Sequence, residues 1–169
     1  MPTFTQIGTA VTVGSGGASS IDFSSIPSTY TDLVLLVSGR DGTTTSVTST
    51  IYVTFNNTSA NRSARYVYGD GSTAGSGSSA TVMFMPNMAG VNATASTFGN
   101  GYMYIPNYAG SNNKSSSVDM VPENNGTSTF TAMTANLWSD TSAINRITLT
   151  SDGNFAEHST AYLYGVSNA

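Results

Sequence analysis

Thr31-Asp32-Leu33-Val34-Leu35-Leu36-Val37-Ser38-Gly39-Arg40 decides the fold. Five consecutive aliphatic residues between polar flanks imply a strand buried on both faces, or nearly so. Downstream, residues 50–56 (TIYVTFN) alternate and put Ile51, Val53 and Phe55 on one face, and residues 65–69 follow with Tyr66 and Tyr68 in register. Upstream, residues 6–13 alternate through Ile7, Val11 and Val13 until Gly14-Ser15-Gly16-Gly17 breaks them, and Ile21 and Phe23 form a brief strand stopped at Ile26-Pro27. Further strands are expected over 81–85, 97–105, 115–121, 127–138, 144–150 and 160–166. The result is an all-β chain, a single antiparallel β-sandwich of roughly ten strands with little or no helix. Residues 85–93 are the best helical candidate, but Pro86, Gly90 and the Asn residues defeat it.

Composition is uniform and no linker divides the 169 residues, so residues 1–169 read as one domain, with 1–13 an N-terminal arm or edge strand. No fixed-period repeat is visible. Charged residues make up 8% of the chain, about a third of the usual share. Sixteen Phe and Tyr and one Trp nevertheless supply large burial units, so the chain should fold and show a surface of Ser, Thr, Asn and Gly. Residues 69–80 read as a mobile, exposed Gly/Ser loop. The five cations, Arg40, Arg62, Arg65, Lys114 and Arg146, are too few to neutralise many phosphates, so no nucleic-acid partner is expected. Nor is a membrane partner, since no segment approaches a spanning length. The Met1-Pro2-Thr3-Phe4 start lacks a signal-peptide pattern, and the absence of Cys slightly favours folding in the cytosol. Asn-x-Ser/Thr triplets at Asn61, Asn92 and Asn125 are expected by chance in such a composition.

Little in the chain points to catalysis. His158 is the single histidine, and pairing it with Asp152 and a serine would require a nucleophile elbow that the sequence lacks. One His and no Cys make a zinc site improbable, and the nine acids show no calcium-loop spacing. Two distant acids brought together could support glycoside hydrolysis. Asp41-Gly42, Asp70-Gly71 and Asp152-Gly153 read instead as turn formers. Trp138, at a strand end, is expected to anchor a core or an interface, with a sugar-stacking platform built with the tyrosines as the sharper alternative. Met83, Met85 and Met88 read as fillers of an irregular core, or as an adaptable subunit contact. No catalytic, cofactor-binding or metal-binding residue is therefore assigned, and no cofactor.

Several aromatic-anchored phrases stand in order along the chain: Ile21-Asp22-Phe23-Ser24-Ser25-Ile26-Pro27 running on through Tyr30 to Leu35, Phe55-Asn56, Ile105-Pro106-Asn107-Tyr108-Ala109, Leu137-Trp138 with Ala143-Ile144 running on to Leu149, Asn154-Phe155, and Leu163-Tyr164-Gly165-Val166. In this order the chain resembles small virion proteins of tailed bacteriophages, familiar from marine and cyanobacterial phages. The resemblance implies a jelly-roll-like β-sandwich on a virus particle and carries no catalytic residues. Three functions follow as expectations. The first is a non-enzymatic virion structural protein, a capsid decoration or cement protein contacting the major capsid protein or other virion proteins, homo-oligomeric and made in the host bacterial cytoplasm. The second is a tail or fibre component that binds host-surface carbohydrate. The third is a two-carboxylate hydrolase.

Overall fold

A computed structural model describes residues 1–124 and 129–167. Strands appear in chain order as β1 (Thr3–Gln6), β2 (Val11–Thr12), β3 (Ala18–Phe23), β4 (Asp32–Gly39), β5 (Thr48–Phe55), β6 (Arg62–Gly69) and β7 (Ala74–Ser79). They continue as β8 (Met83–Ala89), β9 (Gly99–Ile105), β10 (Lys114–Val121), β11 (Thr131–Trp138), β12 (Ile147–Phe155) and β13 (Thr160–Ser167). No helix occurs among the described residues. Two antiparallel sheets face each other: a nine-stranded sheet ordered β1-β13-β4-β9-β10-β11-β6-β7, with β2 also on β13, and a four-stranded sheet ordered β3-β12-β5-β8. Early and late strands interleave, and the chain crosses between sheets on entering and leaving each of β3, β5, β8 and β12.

The aliphatic run lies inside the large sheet between β13 and β9, with Leu33, Leu35 and Val37 in the core between the sheets and Val34 buried as well. Period-2 burial governs the rest. β5 sends Ser49, Ile51, Val53 and Phe55 inward, and β11 sends Ala132, Thr134, Asn136 and Trp138 inward. Met83, Met85, Met88, Met103 and Met120 fill the space between sheets.

Five expectations need correction. The strand over 6–13 is broken at Gly8 (φ +68°) into β1 and β2. Ile7, just after β1, and Val13, just after β2, are tied to β13 and the residue before it by N–H bonds of 2.8 Å to the carbonyls of Leu163 and Ser159. Residues 69–80 are no loop: they contain β7, which pairs with β6 along its whole length. The strand beginning at 81 starts at Met83 and runs through Pro86 to Ala89. Pro86 is tolerated because β8 edges its sheet, beside a register shift between Ser49 and Ile51. Asp152-Gly153 is not a turn: it lies inside β12 at the shift between Thr150 and Phe155. Glycine is required there, since a Cβ at Gly153 would stand 2.1 Å from the Thr43 hydroxyl. Finally β11 begins at Thr131, while the first two residues of the expected 127–138 strand, and Asn125, lie outside the described residues.

Most of the aromatic-anchored phrases meet at one end of the sandwich, while Asn154-Phe155 lies at the other, where Phe155 pairs with Ala18 and Asp41. Tyr108 is wholly buried; its hydroxyl donates to the Pro27 carbonyl and its own carbonyl accepts the Ile144 N–H at 2.9 Å. The Ile26 N–H reaches the Asn145 carbonyl at 2.9 Å. Asn56, in a left-handed conformation (φ 51°), donates to the Ala143 carbonyl and accepts from the Asn145 and Arg146 N–H groups. The Tyr30 ring covers Gly165, where any Cβ would lie 2.2 Å from the ring.

Candidate functional site

The β6–β7 hairpin grows from the alternation of Tyr66 and Tyr68 and the Asp70-Gly71 turn. The Asp70 carboxylate accepts N–H bonds from Ser72 (2.9 Å) and Thr73 (2.6 Å) and both their hydroxyls, which hold its pKa far below the ordinary range. Pairing then sets Tyr66 opposite Gly77 and Tyr68 opposite Gly75. Each ring lies across its glycine, since a Cβ at Gly77 or Gly75 would fall 2.4 or 2.5 Å from the facing tyrosine. Sequence reading took these glycines for flexibility. Their spacing, G-x-G answering Y-x-Y across a D-G turn, was the available signal.

The nine-stranded sheet is the wider one, so this hairpin overhangs the β8 edge of the other sheet. Under the overhang lies a cavity of about 360 Å³. Its aromatic lining is Tyr52, Tyr66, Tyr68, Phe84 and Phe130, and Thr50, Ser79 and Asn87 add neutral polar groups. The Tyr66 and Tyr68 rings lie 26° from parallel with centroids 6.2 Å apart; Phe84 meets Tyr66, and Phe130 meets Tyr68, edge-on. The Tyr52 phenol donates to Asp152 at 2.8 Å, and that bond, with burial, pushes its pKa up. No lining residue of the cavity is charged.

The opposite face of the same hairpin continues onto β11. There Val67 (56% exposed) stands opposite Met133 (62% exposed), with Asp119 on the other side of Met133, and Leu137 lies further along β11 between Ser63 and Ser115. Phe4, on the edge strand β1, is also exposed.

Of the residues singled out from sequence, most are spent inside the fold. Trp138 is buried edge-on against Phe55 at 5.8 Å, so it provides no platform. Met83, Met85 and Met88 are core. His158 sits on an exposed turn with φ 71°, its N–H bonded to the Val13 carbonyl, while Asp152 bonds to Tyr52 and the Thr50 N–H instead. The fold does bring two acids close. Ser49 Oγ lies 2.7 Å from Asp41 and 3.4 Å from Asp152. Asp41 is fully buried and takes further bonds from the Thr43, Thr44 and Gly153 N–H groups. Burial raises its pKa, but the bonds from Ser49, Thr44 and Thr43 more than reverse this and hold the carboxyl low. A saturated, ionised carboxylate of this kind anchors a loop and has no lone pair free for proton transfer. No group of three potential metal ligands occurs among the described residues.

The cations are similarly occupied. Arg146 grips Asp22 at 2.7 and 2.8 Å, and Arg40 forks onto the carbonyls of Val91, Ala93, Thr94 and Thr97. Arg62 reaches the Ser59 and Val53 carbonyls, and Lys114, wholly buried, donates to the Gly110 and Asn112 carbonyls. Arg65 alone points outward, beside Val67. No family model, curated protein or solved structure matches the chain.

Proposed function

We propose that this chain is a non-enzymatic structural protein of a tailed-phage virion, a capsid decoration or cement protein seated on the head shell in several copies. The observation that carries the reading is the outer face formed by Val67, Met133 and Leu137, an apolar strip on the wider sheet bordered by Ser63, Ser115 and Ser117, with Asp119 opposite Met133 and Arg65 opposite Ala135. Covering such a face contributes about 25 cal/mol per Å² before association costs. Serines at its border let a partner approach closely, and a partner covering the whole strip must pair Arg65 and Asp119 or leave them in water. Two further features support it. The phrases that resemble those of small phage proteins build the framework, and the exposed edge strands β1 and β7 of the large sheet offer unpaired backbone to neighbours.

Locating the chain in a cryo-electron microscopy map of the intact particle tests this directly. Copies repeating over the shell, with Met133 at the contact, uphold it. Copies confined to a tail or fibre tip overturn the shell assignment, and absence from the particle overturns the virion reading as a whole.

A further inference from the structure

We infer that the cavity beneath the β6–β7 overhang is a binding site for a neutral oligosaccharide. The inference is independent of where on a particle the chain sits, and it uses the face of the hairpin opposite the one assigned to subunit contact. A pyranose presents apolar C–H faces together with a rim of hydroxyls, so its site needs exposed aromatic surface beside neutral donors and acceptors. Both are present and adjacent. Tyr66 and Tyr68 repeat the same ring orientation along one strand, which suits successive sugar units better than a single one. Phe84 and Phe130 abut those rings edge-on and hold their orientation, so little side-chain freedom is left to lose on binding. Thr50, Ser79 and Asn87 supply hydroxyl and carboxamide groups at the border.

Charge and size narrow the ligand class. With no cation lining the cavity, and the Asp152 carboxylate bonded to Tyr52 and Thr50 at its border, a phosphorylated, sulfated or uronic sugar would lose hydration without a counter-charge. A purely apolar ligand would leave the polar border unpaired. The volume lies at the small end of the range for ligand sites, which fits one or two sugar units with the remainder of the chain outside. The Tyr52 phenol commits its proton to Asp152, so its oxygen is left as an acceptor facing ligand hydroxyls. Gly75 and Gly77 complete the arrangement: any side chain there would push the tyrosines off the strand and into the cavity.

The test is titration of the isotope-labelled full chain with cellobiose, maltose and N,N′-diacetylchitobiose, followed by two-dimensional NMR, with cellobiouronic acid as the charged comparison. Saturable shifts centred on Tyr66, Tyr68, Gly77 and Phe84 are expected with at least one neutral disaccharide. Tyr68→Ala should weaken that affinity by about tenfold or more, and Tyr68→Phe, which keeps the ring, should stay within about threefold. Emission of the buried Trp138, at the far end of β11 from this cavity, checks that each variant is folded. The inference is overturned by any of three results: no saturable shift with the neutral sugars, shifts centred elsewhere, or tighter binding of the charged disaccharide. Unchanged affinity in a folded Tyr68→Ala protein overturns it equally.

Discussion

Asp41 shows how one side chain can hold distant segments. Its two carboxylate oxygens join the loop after β4 to Ser49 on β5 and to Gly153 on β12. Replacing it with Ala would leave several buried donors without acceptors, at a cost of roughly 3 kcal/mol. Its pH signature follows from the depressed native pKa. The unfolded chain binds the proton more readily, so the stabilisation is complete well above the ordinary value of 3.8 and is lost as pH falls toward and through the lower native value. Thermal melts between pH 7 and 3 should therefore show a shallower acid loss for Asp41→Asn than for the natural protein. Some slope should survive in the variant, because Asp22, Asp70 and Asp140 are also held low by their partners. An identical slope in both proteins would remove Asp41 from this role.

At the level of elements, the most consequential contact joins the two sheets at an edge. Asn136 of β11 accepts the Phe84 N–H and donates to the Phe84 carbonyl, both at 3.1 Å and both buried. Its carboxamide substitutes for the peptide group of a neighbouring strand, and β8 is thereby closed as an edge. Asn136→Leu, of similar size, should cost about 2–4 kcal/mol by leaving that N–H and carbonyl unpaired. A lowered urea midpoint at unchanged slope would register it; an unchanged midpoint would refute the capping role. Strands with clean alternation, such as β5 and β11, were legible from sequence because side-chain period and burial coincide there. β7 was not, since its hydrophobic partner is supplied by the opposite strand while its own residues are Ala, Gly and Ser. The cavity was half legible: its tyrosines stood out, but Phe84 and Phe130 reach it only through pairing and overhang, which no local pattern encodes. Trp138, the most conspicuous aromatic, takes the core position expected of a Trp at a strand end, edge-on to Phe55, so the cavity is built without it.

For the molecule as a whole, the two sheets divide the work. β4 with β13 and β3 with β12 pair segments from opposite parts of the chain, so few native contacts can form early and folding should be slow for this size. The exposed strip on the large sheet carries no comparable cost when altered. Met133→Lys should leave the melting temperature within a few degrees while abolishing the concentration-dependent self-association expected in sedimentation experiments. A natural protein that stays monomeric at high concentration, or a Lys variant that associates equally well, would argue against the subunit-contact role of this face.

The internal employment of the cations has a practical outcome for digestion. Trypsin cleaves after Lys and Arg in segments that can be drawn extended into its active site. All five such residues lie in or beside paired strands, and four of them are clamped through their side chains. The folded protein should therefore survive trypsin intact, and the rate at which its band disappears should report opening of the whole sandwich rather than fraying of any one part.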